Sequence, residues 1–159
     1  MQLVTQARHG VITALLAVTM GLTHLGYPRT GDAQEDVRPP DVIGFRFTPN
    51  RFDVGEQSRT MDVTFEATDD LSGVAWVRAD FTSPSKRLNL VAVATSDTNL
   101  AARNGTYHAT LTIPRYSEFG TWSVTGLAAS DRVGNRRQYD VGELKKMGFE
   151  TEFTIDRSK

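Results

Sequence analysis

No cysteine occurs among the 159 residues. Its absence excludes a disulfide framework, a thiolate metal site and a lipid-modified N-terminal cysteine. Histidine is nearly missing: His9 and His24 lie near the N-terminus, and His108 alone falls in the body of the chain. His108 stands on the outward phase of a strand-like run, with no serine or aspartate pattern around it. A nucleophilic triad needs nucleophile, base and orienting acid in contact. No G-x-S-x-G elbow, glycine-rich phosphate loop or H-E-x-x-H is present. Carboxylates and tryptophan could form a glycosidase pair, but nothing singles out two carboxylates. The sequence therefore predicts a protein that is not an enzyme. An excess of one charge is lacking too. Residues 1–33 hold Arg8, Arg29 and Asp32, so 16 of the 18 basic and 18 of the 19 acidic residues lie beyond them, net −2. A nucleic-acid partner would need a clustered basic face, and Arg136-Arg137 reads as a solvated strand edge, so none is expected.

Long apolar runs are absent as well. The run at residues 10–22 is 13 residues long, short of the roughly 20 needed to cross a bilayer. It follows Arg8 and His9 and suits the apolar core of an export signal. Gly31 and Ala33 place small residues at the −3 and −1 positions of a cut after Ala33. Residues 1–33 are thus expected to be a signal peptide, with an uncleaved membrane anchor as the alternative. Residues 34–41 are polar, end near Pro39-Pro40 and read as a stiff extended linker. The product is expected in the periplasm, at the cell surface or outside the cell, without membrane contact after cleavage. Secretion without cysteines requires a core large enough to hold the domain together.

Beyond Pro40 no window carries a 3.6-residue apolar period, whereas period-2 alternation recurs between turn residues. Ile43, Phe45 and Phe47 share one phase, and Pro49-Asn50 then interrupts the run before Phe52 and Val54. Met61, Val63, Phe65 and Ala67 alternate with Asp62, Thr64, Glu66 and Thr68, the pattern of a half-buried antiparallel strand. That run stops at Asp69-Asp70-Leu71-Ser72-Gly73. Ala75, Val77, Ala79 and Phe81 oppose Trp76, Arg78 and Asp80; Leu88 and Leu90 face one way in the next run. Residues 95–103 read as a loop with a short edge strand. Asn104-Gly105 is a strong hairpin-turn dipeptide, followed by Tyr107, Ala109, Leu111 and Ile113 on one phase. Trp122 and Val124 share a phase that slips by one at Thr125-Gly126, which predicts a β-bulge. Residues 136–141 pair back, residues 142–148 form a turn or one helical turn, and Phe149, Thr151, Phe153 and Ile155 close the sheet. Seven to nine short strands over residues 42–156 predict an all-β, immunoglobulin-like antiparallel β-sandwich.

Asp69-Asp70-x-Ser72-Gly73-Val74, Asn104-Gly105-Thr106-Tyr107, Gly120-Thr121-Trp122 and Asp131-x-x-Gly134-Asn135 together resemble the bacterial Ig-like domains of secreted and surface proteins. The resemblance covers residues 39–156. It implies a fold more than an activity, since members serve as adhesins, spacers or modules appended to enzymes. The expected function is a secreted, non-catalytic module contacting protein or glycan. The alternative is a Ca²⁺-stiffened structural domain of a larger surface assembly.

In such a sandwich the loop after the second strand and the loop after the sixth share one end. Asp69, Asp70, Asp131 and Asn135 would then converge, with the linker's Asp36 and Asp41 arriving at that end. Hard oxygens from separate loops suit Ca²⁺. The competing account is structural: Asp131 bonds the amides of Val133 and Gly134, and Asn135 turns left-handed. Trp122 is inward by phase and expected in the core. Trp76 lies on the wet phase beside Arg78 and could stack on a sugar ring or anchor a partner, with Tyr139 as a third contact. The alternative there is a cross-strand pairing of Trp76 with the strand from Arg136, Tyr139 included.

Overall fold

The structure is a computed structural model that describes residues 34–96 and 103–157. The expected export signal, its cut after Ala33 and most of the expected loop at residues 95–103 lie outside these. The elements run β1 (Asp41–Thr48), β2 (Arg51–Asp53), β3 (Arg59–Thr68), β4 (Val74–Thr82), β5 (Asn89–Thr95), β6 (Asn104–Ile113), β7 (Gly120–Asp131), β8 (Arg136–Tyr139), α1 (Val141–Lys146) and β9 (Glu152–Asp156). They form two sheets: β1-β3-β6, and β2-β9-β7-β4-β5 with β8 also on β7. Pairing is antiparallel except between β2 and β9, which run parallel. The period-2 alternation is the cause. It gives each strand one apolar face, and two such faces must cover each other to leave water.

The first strand changes sheets. Phe45 and Phe47 leave β1 toward the core, and after Pro49 the chain continues as β2 against β9, burying Phe52 and Val54. The core between the sheets is aromatic. Phe153 stacks on Trp122 at 5.8 Å and meets Phe47, Phe52 and Phe81 edge-on at 5.7–6.4 Å. Such offset and edge-on contacts suit the ring quadrupoles. Trp122 keeps its indole N–H satisfied by donating to the Glu118 carbonyl at 2.9 Å.

Two slips of register decide which residues are buried. On β7, Asp80 faces Gly126 while Phe81 faces Val124, so Thr125 is the extra residue of the expected bulge. Trp122 and Val124 on one side of it and Leu127 and Ala129 on the other are all buried as a result. A bulge that the alternation did not show lies between Val42 and Gly44 on β1. It buries Val42 and turns Ile43 out to 59% exposure, contrary to the phase expected for Ile43. A similar slip between Val74 and Trp76 buries Val74 and leaves Ala75 only half-buried. Leu88 precedes β5 and is exposed, while Ala92 and Ala94 carry its inward phase.

Asn104-Gly105 is not a hairpin turn. Both residues continue β6, opposite Thr68 and Ala67 of β3, and Asp69 N–H extends the ladder to the Arg103 carbonyl at 2.6 Å. Glycine leaves room there for the Tyr107 ring. A Cβ on Gly105 would stand 3.1–3.2 Å from the Tyr107 ring and hydroxyl. Residues 141–146 do form the short helix. Asp140 caps it, accepting from Glu143 N–H while Glu143 accepts from Asp140 N–H, the reciprocal pair that satisfies two orphan donors.

Tyr139 ties the sheets. Its hydroxyl accepts from the Val42 N–H at 2.8 Å, placing a β8 side chain on the bulged start of β1. We expect Tyr139→Phe to cost about 1–2 kcal/mol, because it strands that buried N–H. Urea unfolding checks it: the midpoint falls and the slope is unchanged.

Candidate functional site

Three stretches meet at one end of the sandwich: residues 35–40 before β1, the β3–β4 connection and the β7–β8 connection. Their sequences explain their shapes. Asp69 opens the first connection as an aspartate turn, its Oδ2 accepting from Leu71 N–H at 3.1 Å and Gly73 N–H at 2.6 Å. Gly73 closes it at φ 86°, a conformation open to glycine. Asp131 opens the second. Its Oδ1 accepts from the amides of Val133, Gly134 and Asn135 at 3.0, 2.6 and 2.8 Å. The left-handed residue there is Gly134, at φ 102°, rather than Asn135 as expected. Gly134 takes the position because it carries no Cβ to clash.

The connections are stitched together. Arg132 N–H donates to the Gly73 carbonyl at 3.1 Å, and Ser72 N–H donates to Asp36 Oδ2 at 2.7 Å. Asn135 Nδ2 donates to Asp131 Oδ2 at 2.7 Å and reaches the Asp36 and Arg38 carbonyls at 3.1 and 3.4 Å. Asp69 and Asp131 are buried, with 7% and 2% exposure. One carboxylate oxygen each of Asp36, Asp69 and Asp131 lies within 4.8 Å of the other two.

The four residues singled out from sequence therefore divide. Asp69, Asp131 and Asn135 come together; Asp70 does not. It points outward to Arg38 at 3.7 Å, both side chains being largely exposed, because the tight Asp69 turn commits one aspartate of the pair inward and the next outward. Asp36 takes its place. The linker was expected to bring Asp36 to this end, and there the Ser72 amide, 36 positions away in sequence, donates to its carboxylate. Ser72 also holds the Asp36 carboxyl below the ordinary aspartate value, chiefly through its hydroxyl and also its amide, although that hydroxyl makes no well-aligned hydrogen bond. The Arg38 amide and the Arg103 charge act in the same direction against the cost of desolvation. Asp41 turns aside to Arg137 and the Tyr139 hydroxyl.

The second candidate is the outer face of the larger sheet. Its rows follow from register: Thr95, Trp76, Ser130 and Arg136; then Val93, Arg78, Ala128 and Gln138; then Val91, Asp80 and Gly126. Trp76 is half-buried, with the Arg136 guanidinium 5.5 Å from its ring centroid. Arg78 is clipped to Asp80 two residues along, Nη2 to Oδ1 at 2.6 Å. Tyr139 is not part of this face. It stands opposite Leu127 on the inward phase, is 2% exposed and carries Arg137 over its ring at 4.6 Å. The cross-strand partner of Trp76 on β8 is thus Arg136 rather than Tyr139. His108 lies on the other sheet, with Nδ1 at 3.4 Å from Thr64 Oγ1. The chain matches no family model, no curated protein and no solved structure.

Two outcomes follow from the acidic end. Asp131→Ala strands three amides and should cost about 3 kcal/mol, whereas Asp131→Asn keeps one acceptor and should cost about 1 kcal/mol; urea unfolding measures both. The lowered folded value for Asp36 means its contribution to stability is present above its unfolded value near 3.8 and disappears as pH falls through the lower folded value. A carboxyl-resonance titration of the folded chain should accordingly show an Asp36 midpoint below that of the urea-unfolded chain.

Proposed function

We propose that this chain is an exported, non-catalytic interaction module with an immunoglobulin-type strand arrangement, contacting a protein or glycan at the cell surface or in the periplasm. The order β1-β3-β6 facing β9-β7-β4-β5, with the first strand divided between both sheets, supports the fold part of this reading. The observation that carries the contact is the outer face around Trp76. A sheet that only needs to meet water has no use for a tryptophan in its middle, yet Trp76 stays partly exposed there. On the edge strand, one and two rows along the same face, Val93 and Val91 are 48% and 40% exposed. Tryptophan with arginine stacked upon it offers a flat apolar surface next to donors in a planar fork, a combination that suits sugar rings and interface anchoring alike. No helix among the described residues is long and apolar enough to cross a membrane.

Trp76→Ala tests the reading. Binding of the purified chain to whole cells, or to arrays of glycans and envelope proteins, should weaken about 10-fold or more. Its melting temperature should stay close to that of the unsubstituted chain, because Trp76 lies outside the core. Binding that survives the substitution at full strength removes this face. The mass of the exported product, expected to begin at Gln34, tests export separately.

A further inference from the structure

Donors at the acidic end are unevenly shared. Asp131 receives three amides on Oδ1 and the Asn135 side chain on Oδ2. Asp36 receives one amide on each oxygen. Asp69 receives two on Oδ2 and none on Oδ1, though Oδ1 is buried. A carboxylate oxygen only accepts, so Oδ1 must be met by a donor or a cation.

That atom has company. Among the described residues three buried side-chain polar atoms lack a hydrogen-bond partner: Asp69 Oδ1, Ser72 Oγ and Tyr107 Oη. All three belong to this end. Asp69 and Ser72 share the β3–β4 connection. Tyr107, 7% exposed, leans its hydroxyl toward Gly105, to 3.1 Å from where a Cβ would stand, and Gly105 is the residue beside Ala67 near the end of β3. Its phenol is shifted upward by desolvation first, with the Arg132 charge opposing and the Asp69 charge adding. Asp69 Oδ1 and Ser72 Oγ thus lie in one connection, and the Asp69 charge acts on the Tyr107 phenol.

Charge gives the same direction. No salt bridge among the described residues reaches Asp36, Asp69 or Asp131. Arg38 is spent on Asp70, and Arg103 donates to the Leu71 carbonyl at 3.2 Å. Three carboxylates thus stand within 4.8 Å, two of them buried where water screens little. Two oxygens that each sit about 2.4 Å from one ion are at most about 4.8 Å apart, the reach of Ca²⁺.

We propose that Asp36, Asp69 and Asp131 bind one Ca²⁺, which fastens the segment before β1 to the β3–β4 and β7–β8 connections. The donors are all hard oxygens, with no histidine or cysteine among them, and they come from three separate stretches in irregular array. Ca²⁺ tolerates that irregularity; Mg²⁺ demands a near-ideal octahedron. Ser72 Oγ and water supply further oxygens. Asn135 orients Asp131 instead of ligating, because its amide nitrogen is the end turned inward. Asp70 takes no part.

The test uses the full chain stripped with chelator, then given about 10 mM CaCl2. The melting temperature should rise by about 5–10 °C. Asp36→Asn, which removes no core side chain, should abolish the rise, and Asp70→Asn should keep it. Terbium bound in place of calcium should show luminescence sensitised through Tyr107, and Tyr107→Phe should reduce it. An unchanged melting temperature, a rise that Asp36→Asn retains, or an equal rise with about 10 mM MgCl2 would each overturn the site.

Discussion

A carboxylate taken out of water must be handed donors, and Asp131 at the end of β7 is the place where this fold meets that demand. The amides that serve it belong to three of the next four residues, so these hydrogen bonds bend the chain back at once into β8. The same carboxylate holds the Asn135 side chain, and Asn135 holds the carbonyls of the segment before β1. One buried charge thus fixes a hairpin, sets the height at which the N-terminal segment crosses, and brings two further aspartates within reach. The slip at Thr125 makes this possible. Were β7 to alternate unbroken through Thr125, it could bury Trp122 or Leu127 but not both, and Asp131 would face the side opposite Trp122.

Strand phase was legible wherever one ladder runs unbroken. Met61 to Ala67 and Tyr107 to Ile113 face as alternation requires, and the phase change within β7 betrays its own bulge. Alternation is silent where a bulge sits at a strand's first residues. At Ile43 and Ala75 the chain slips once and then keeps time, so the run looks regular and its first member is misassigned. Asn104-Gly105 misleads for another reason. Glycine is chosen there for the room the Tyr107 ring needs, and a dipeptide cannot say which use its glycine serves.

At the acidic end, turn-forming aspartates were visible as aspartates in turns. Their partition was not. Asp69 and Asp70 are chemically identical neighbours, and only the direction of the turn sends one into the sandwich and the other to Arg38. Asp36 was expected at this end from the course of the linker, and it is held there by the Ser72 amide on its carboxylate and the Asn135 side chain on its carbonyl. On the sheet face, Trp76 and Arg78 follow from phase, whereas Tyr139 falls inward because its strand pairs with β7 through Leu127.

The divided first strand has a mechanical meaning. β2 lies parallel to β9, residue 51 beside 154 and 53 beside 156, and Arg51 grips Asp156 with both Nε and Nη2. Tension applied between the start of β2 and the end of β9 therefore pulls along these neighbouring strands in opposite senses. Their bonds are loaded side by side in shear and must fail together, where a hairpin tugged at its open end would unzip one rung at a time.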